Sequence, residues 1–505
     1  VTVGALFACV PGLAVSSDAA ECAVLSGDIA APATHPAGAV LRPSHQEQVV
    51  DLVRAARREG VRLYPRGGGW SYTGGFAPNV GPAALVDCTG LDGVAIDRDG
   101  GVASVGAGVT WAVLHDTLAA AGLRARSFGP LSGLGATVGG GAAQNGGFFG
   151  AAAHGAFGDG GICGGTLVDG TGAMRELTPE DRADGSLAPQ PLVGDCGAFG
   201  IRTRVVVRTM PMPTATQFAS FDFRDGAAAF AVLASLAGRP GLGEAYVFDP
   251  GTHANLARTG FSVIESATMA GDLLRGPGGL FARLGGLART ARAKALVGEL
   301  HWSLHVSVDG SETEATAGIE AVARRALAAG GEAIPDVIPR VTRARPFRRI
   351  KALLGPDGEV WLPLHGVFPA ERAAAGLAAA QAVLAEAGAD MAAHGVRCVM
   401  LGVLMGRRVI VEPQLSWHDA LSAVHRRLAQ PDQVAAYGGR AARPEARACA
   451  LALRKRLTAA LDSAGAEHFQ IGRTYAGPAG ARASWLALKA RFDPDGIMNP
   501  GVLGL

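Results

Sequence analysis

Tyr64-Pro65-Arg66-Gly67-Gly68-Gly69-Trp70-Ser71-Tyr72-Thr73-Gly74-Gly75 is the stretch whose reading decides the fold. A short run, Val61–Tyr64, reads as a strand leading into it. Three successive glycines then permit positive φ and close approach, so consecutive backbone N–H groups can turn inward as an anion nest. Ser71 adds a hydroxyl and Arg66 a positive charge, and a pyrophosphate is the natural guest. A hairpin turn that needs glycine would look the same, so the stretch must be weighed with the rest of the chain.

Further along lies Gly129-Pro-Leu-Ser-Gly-Leu-Gly-Ala-Thr-Val-Gly-Gly-Gly-Ala-Ala-Gln-Asn-Gly-Gly-Phe-Phe-Gly150. Residues this small cannot fill a core with side chains; they suit backbone laid against a flat or extended ligand. Gly133-Leu-Gly-Ala-Thr-Val138 approximates a dinucleotide fingerprint, which would make the chain a nicotinamide-dependent Rossmann enzyme. The context fails: no parallel strand leads in, Val138 replaces the last glycine, and strand-and-turn texture is expected to follow. A third segment, Gly194-Asp-Cys-Gly-Ala-Phe-Gly-Ile-Arg-Thr-Arg-Val-Val-Val-Arg208, is a turn feeding a strong strand. The fourth, Arg491-Phe-Asp-Pro-Asp-Gly-Ile-Met-Asn-Pro-Gly-Val-Leu-Gly-Leu505, is too rich in turn residues for a loose terminus and reads as tied into a site.

The 73 glycines among 505 residues crowd the first 215 and return after 472. The early part therefore reads as short strands and tight turns, interrupted by two helices. One helix starts at a Ser44/Glu47 capping box and runs to Arg58; the other spans Thr110–Ala121 and stops at Gly122. After Pro213, Ala-rich helices (226–236, 313–329, 370–387, 421–428) alternate with strand-like pieces (300–308, 359–364, 396–403, 408–414), suggesting a separate α+β domain. Segment 260–298 is the candidate for a mobile lid or insertion. The basic run Arg343–Lys351 reads as a solvated surface strip. A net charge of +2 gives no reason to expect nucleic acid or an anionic membrane as partner. No apolar stretch reaches spanning length without interruption. Seven scattered cysteines without CxxC spacing suggest neither a zinc site nor a disulfide framework, and fit a reducing cytoplasm. The apolar start lacks a preceding lysine or arginine and breaks at Pro11-Gly12, which argues against a signal peptide.

In this order the four segments resemble the vanillyl-alcohol-oxidase superfamily of flavoproteins. The first three are similar to its FAD-binding domain of the p-cresol-methylhydroxylase type, and the tail resembles the C-terminal signature of the glycolate-oxidase and D-lactate-dehydrogenase branch. The resemblance implies an α+β fold: a two-subdomain FAD-binding domain over 38–215, an α+β cap domain with an antiparallel sheet flanked by helices over 216–455, and a C-terminal segment, 456–505, returning to the FAD site. Residues 1–37 stand as an N-terminal segment. It further implies FAD as cofactor, with Arg66, Gly67, Gly68, Gly69, Trp70 and Ser71 at the pyrophosphate. Pro130, Ser132, Gly135, Ala136, Thr137 and Gly140 would line the flavin, with Asn145 nearby. Gly197, Gly200 and Ile201 would meet the adenine-ribose side or the ring edge, and Asn499 the isoalloxazine.

Departures from the family matter as much. Berberine-bridge-type relatives carry a flavin-linking histidine where Trp70 stands, and indole offers no nucleophilic ring nitrogen. The histidine-rich metal motif of the 2-hydroxyacid branch is missing from Met400–Trp417, so no metal is expected. The acidic residue that the phenol-oxidising branch places beside the flavin aligns with Ser132. Oxidising an alcohol needs a base and an anchor for the substrate's polar end. His365, at a strand end, is a candidate base or covalent flavin ligand; Glu412 is a second polar candidate on the cap sheet, as is His418. In Glu467-His-Phe-Gln-Ile-Gly-Arg-Thr-Tyr475, Arg473 or Tyr475 is a candidate for gripping a carboxylate or phenolate, and His468 is a further catalytic candidate. The expected activity is oxidation of a CH–OH group of a small organic substrate, a hydroxy acid or alcohol. A 4-alkylphenol oxidase and a non-catalytic flavin-binding protein are the alternatives. The electron acceptor (oxygen, quinone or cytochrome) stays open, and the family is compatible with a homodimer.

Overall fold

The computed structural model describes residues 2–30, 32–179, 187–259, 297–344, 346–347, 353–477 and 480–505. The segment expected to form a lid, 260–298, lies outside these residues except at its end. The chain divides into two compact units, Val1–Met212 with Leu421–Ala429 and Glu467–Leu505, and Pro213–Ala420 with Gln430–Ala466.

In the first unit, strands β1 (Ala14–Ser16), β2 (Ala39–Arg42), β3 (Arg62–Arg66) and β4 (Ala83–Asp87) form a sheet ordered β1-β2-β4-β3. Strands β2 and β3 both run parallel to β4. Parallel neighbours need a crossover, and the helix Gln46–Glu59 provides it, burying Val49, Leu52, Val53 and Ala56 against Leu63, Ala84 and Val86. Gly60, in the left-handed region (φ 67), closes the helix by donating to the carbonyls of Ala56 and Arg57. The start differs from the expected Ser44/Glu47 box. Gln48 Oε1 accepts the Ser44 N–H at 2.8 Å, because Glu47 turns out to meet His45 Nδ1 at 3.1 Å.

Strands β5 (Val94–Asp97), β6 (Val102–Gly106), β7 (Leu123–Ala125), β8 (Ile162–Asp169), β9 (Met174–Leu177) and β10 (Gly200–Pro211) make an antiparallel sheet. Its order is β5-β6-β10-β8-β9, with β7 paired to the end of β10. Between β7 and β8 the structure corrects the strand-and-turn expectation: Val138–Gln144 is a short helix capped by Thr137, whose hydroxyl accepts the Gly140 N–H at 3.1 Å. Glycine costs helix stability but permits contact. A Cβ on Gly139 would lie 2.6 Å from the Ala107 Cβ, and one on Gly141 2.7 Å from the Trp111 indole nitrogen.

The second unit is an α+β layer. Strands β11 (Ala215–Phe223), β12 (Leu242–Phe248), β13 (Trp302–Gly310), β14 (Glu332–Ile334), β15 (Val360–Pro363), β16 (Gly366–Pro369), β17 (Arg397–Met405) and β18 (Arg408–Trp417) form one sheet. The order is β14-β11-β13-β12-β17-β18-β15, with β16 also on β18, and every pairing is antiparallel. Two helices pack on one face, where a Cβ on Gly402 would meet the ring of Phe230 from helix Gly226–Ser235, and one on Gly318 of helix Glu312–Ala328 would meet Val308; on the other, His253 of helix Pro250–Thr259 bonds Ser303 and Arg340 of helix Val337–Ala344 lies over Phe218. Because side chains alternate along a strand, Ser303, His305, Tyr246, Phe248, Leu401 and Glu412 share this second face. The basic run is not wholly a solvated strip. Arg343, on helix Val337–Ala344, is largely buried and ion-paired with Glu244 and Asp309, two buried carboxylates that demand a counter-charge. Among the described residues no helix is long and apolar enough to cross a membrane, and all seven cysteines are free thiols.

The C-terminal tail adds itself to β3. Leu63 and Met498 form a parallel bridge; the Leu63 N–H donates to Ile497 O and the Asn499 N–H to Leu63 O, both at 2.8 Å. Asp493 fixes the approach by accepting from the Ile497 and Met498 amides. Asn499 is fully buried, with a positive φ of 41. Its Nδ2 donates to Gly75 O at 2.6 Å and to Cys196 O at 2.7 Å, and its Oδ1 accepts from Arg473 at 2.8 Å. Replacing Asn499 by Ala orphans all three partners and is expected to cost about 3 kcal/mol, seen as a lower melting temperature of the purified protein.

Candidate functional site

The four glycine-bearing segments, separated in sequence, converge in the first unit. Gly68 of the first packs on Gly135 of the second so closely that a Cβ on Gly68 would lie 1.7 Å from the Gly135 carbonyl oxygen. A Cβ on Gly67 would lie 2.2 Å from the Thr137 hydroxyl, and one on Gly135 2.0 Å from the Trp70 indole nitrogen. The third segment is bonded to the second: the Gly194 N–H donates to Ala142 O at 2.8 Å and the Cys196 N–H to Ala143 O at 3.0 Å. Residues 467–475 join them, with the Gln470 N–H on Gln144 O and the Arg473 N–H on Thr73 O, each at 2.8 Å.

What this assembly offers a ligand is backbone. The N–H groups of Gly67, Gly68, Gly69, Trp70 and Ser71 make no hydrogen bond within the protein among the described residues. Gly69 and Ser71 are nonetheless buried. Gly67, Gly68 and Trp70 are half-exposed, so the run is open to an acceptor from outside the chain. Arg66 orients it from within. Its guanidinium is buried 4.0 Å from Asp87 and donates to Gly67 O at 3.0 Å and Gly68 O at 3.4 Å, holding carbonyls rather than amides. Burial pulls its pKa below the usual arginine value, and Asp87 opposes that shift. Among the described residues the Arg66 Nε has no partner. An amide run of this kind, flanked by half-exposed backbone at Gly135, Ala136, Gly140 and Gly141, fits a diphosphate and a flat ring system.

The remaining candidates divide by what they touch. Pro130 and Ser132 are half-exposed and shape the turn, their carbonyls accepting from Gly133 and from Gly135 and Ala136. Asn145 ends the short helix at positive φ and accepts the Gly158 N–H at 2.8 Å. Gly197 lies against Pro65. Gly200 and Ile201 pair with Asp169 and Val168 inside the sheet, and Ile201 belongs to the core beside Leu52 and Val86. Arg473 acts as a clamp, donating to Gly74 O, to Asn499 Oδ1 and to Pro500 O. Tyr475 is buried and stacks on His468, their rings 4.1 Å apart and 8° from parallel.

His365 and Glu412 belong to the second unit. His365 is fully buried. Register places it alongside Glu412, between the pairs Pro363↔Gln414 and Gly366↔Val411. Glu412 is half-buried on the face that also carries Ser303 and His305, and desolvation pushes its carboxyl up to about 7, opposed by a hydrogen bond from Gln414. Sequence reading missed a neighbouring buried chain: Ser220 Oγ lies 2.8 Å from His305 Nδ1, and Ser303 Oγ lies 2.7 Å from His305 Nε2 and 2.9 Å from His253 Nε2. Its only signal was the alternation Ser303-Leu-His305-Val-Ser307. Burial pulls both imidazoles down, His253 to about 4, so they are neutral at pH 7. Among the described residues no group of His, Cys, Asp and Glu could hold a metal ion.

Residues 37–178 match the family described as "FAD binding domain". Across the whole chain the fold is that of p-cresol methylhydroxylase with substrate bound (17% identity, TM-score 0.69, 97% of this chain and 94% of that one). A 4-ethylphenol oxidase from Gulosibacter chungangensis in complex with isoeugenol is similar at 17% identity, with TM-score 0.65 over 97% and 94%. A variant of BBE-like 1 from Physcomitrella patens is similar at 15% identity, with TM-score 0.63 over 99% and 98%. No curated protein matches the chain. The chain thus carries an FAD binding domain and takes FAD as its cofactor, and its fold is shared with p-cresol methylhydroxylase, the 4-ethylphenol oxidase and BBE-like 1.

Two outcomes test this geometry. Gly68→Ala collides with the Gly135 carbonyl, so the purified variant is expected to lack the visible absorbance of bound flavin. For Glu412 the folded pKa lies above the ordinary value of 4.5, so its stabilising contribution is complete below pH 4.5 and lost as pH rises through 7. Glu412→Gln is therefore expected to raise the melting temperature at pH 8 and to change it little at pH 4.5.

Proposed function

We propose that this chain is an FAD-dependent oxidoreductase that oxidises a CH–OH group of a small organic molecule, with Glu412 as the base. The observation that carries the flavin half is the run of unpaired amides from Gly67 to Ser71, which supports a diphosphate-bearing cofactor. The observation that supports the chemistry is a carboxyl pushed to about 7 on one face of the cap sheet. A general base works best with a pKa near the operating pH.

Bound FAD supplies the two-electron acceptor, taking a hydride at its N5. The chain's own contribution is position and a proton acceptor. Gly67–Ser71, Gly135, Ala136, Thr137 and Gly140 would hold the cofactor through backbone and hydroxyl groups. The Glu412 carboxylate would take the substrate hydroxyl proton as the carbon loses its hydride, leaving a carbonyl product and a neutral carboxylic acid. Trp70 at the histidine position supports a flavin with no bond at that residue. Arg473 is proposed as a clamp of the site rather than a substrate anchor, because its guanidinium already holds Gly74, Asn499 and Pro500.

A second reading, oxidation of a 4-alkylphenol or aromatic alcohol, is favoured by aromatic side chains on the same face as Glu412. Tyr246, Phe248 and Trp361 stand there, and the 4-ethylphenol oxidase and p-cresol methylhydroxylase neighbours act on such rings by name. Anaerobic mixing with a panel of hydroxy acids, aromatic alcohols and alkylphenols separates the two. Bleaching of the flavin band by CH–OH donors alone is the expected result; bleaching by alkylphenols alone selects the second reading. No bleaching by any donor would leave a flavin-binding protein without oxidase activity. Glu412→Gln is expected to slow bleaching at least a hundredfold while retaining the flavin.

A further inference from the structure

Glu412 does not stand alone on its strand. Gln414, two residues on and so on the same face of β18, donates from Nε2 to Glu412 Oε1 at 2.7 Å. Gln414 Oε1 in turn accepts the indole N–H of Trp361 at 3.2 Å, from the neighbouring strand β15. This second bond settles which way the amide faces. An indole N–H can only donate, so it must meet the amide oxygen, and the amide NH2 is then left facing the carboxyl. A flipped amide would set two donors against each other at Trp361 and two acceptors against each other at Glu412.

We propose that Gln414 is a positioning residue that keeps the Glu412 carboxylate ready to accept a proton, and that Trp361 locks Gln414 in the one amide orientation that does so. This rests on the reading of Glu412 as the base. Both partners are half-buried on β15 and β18, so the chain Trp361–Gln414–Glu412 lies along one sheet face. The other groups beside Glu412 do little to hold its charge. On β17 the residue directly opposite is Leu401, and on its own strand the preceding same-face residue is Ile410. On the β15–β16 side, register brings His365, the one titratable side chain adjacent in the sheet, while Arg408 on the same face stands two same-face positions away. A hydrogen bond to an ionised acceptor is stronger than one to a neutral acceptor, so the Gln414 amide favours the carboxylate and works against desolvation. Without it the carboxyl would hold its proton to higher pH and fail as a base near neutrality.

The test uses the flavin-loaded full chain carrying Gln414→Met, which keeps length and removes the donor, and Trp361→Phe, which frees the amide to turn. Two quantities are measured against pH: the carboxyl band assigned to Glu412 by its loss in Glu412→Gln, followed by infrared difference titration, and kcat/KM. In Gln414→Met the carboxyl midpoint is expected to rise by about one unit, and the rising limb of kcat/KM to move with it, a loss of about fivefold at pH 7. Trp361→Phe is expected to move both in the same direction by less. A carboxyl midpoint unchanged in both variants would overturn the proposal. A midpoint that moves while the kcat/KM limb stays in place would uphold Gln414 as the holder of Glu412 and sink Glu412 as the base. A limb that vanishes in His365→Gln instead would assign it to the imidazole.

Discussion

Backbone pressed against backbone is the constraint on which the first unit depends. At Gly68 and Gly135 two loops, more than sixty residues apart, touch without side chains between them, and neither position can accept a methyl group. That contact holds the amides of Gly67–Ser71 in a row with no internal acceptor. Those amides are open to an outside acceptor, and under the proposed reading a cofactor diphosphate would be that acceptor. On that reading, binding of FAD would stabilise the loop.

The C-terminal tail is what keeps those loops in place. Asn499 ties the first segment to the third, and Arg473 ties the tail to both Gly74 and Asn499. Each of these side chains bonds mainly to backbone carbonyls, which a glycine-rich region has in excess once its amides face elsewhere. The polar residues near the tail thus serve to finish a backbone structure, and the cores around Phe199, Ile471, Tyr475, Trp485 and Val502 seal it from behind.

The second unit solves a different problem. Its sheet has helices on both faces, and one face carries an unusual density of polar groups: Ser220, Ser303, His305, Glu412 and Gln414. Neutral imidazoles bonded to hydroxyls, and a carboxyl poised near neutrality, are ways of burying polarity without fixed charge. Where charge is kept, as at Arg343 with Glu244 and Asp309, opposite charges are paired directly.

The amino-acid sequence alone determined the glycine-rich region proposed to hold the cofactor, because glycine is a local signal: only a residue without a Cβ can fill positions such as Gly67, Gly68 and Gly135, and their order along the chain carries the resemblance to FAD-binding domains. It also determined the α+β class, through apolar periodicity and the Ala-rich helices after Pro213. Tertiary structure decided what the polar residues do. Arg473 and Asn499 carry the composition of ligand-binding groups, yet they bond to carbonyls brought near only by folding. Ile201, in a segment marked by its glycines, lies in the core because β10 pairs with β8. The helix Val138–Gln144 defied its glycine content because Ala107 and Trp111 needed the close approach. Glu412 shows the same division: its place on a strand was legible from period-two alternation, but its shifted pKa, the donor at Gln414 and the bond from Trp361 depend on burial and on a neighbouring strand, which no local pattern encodes.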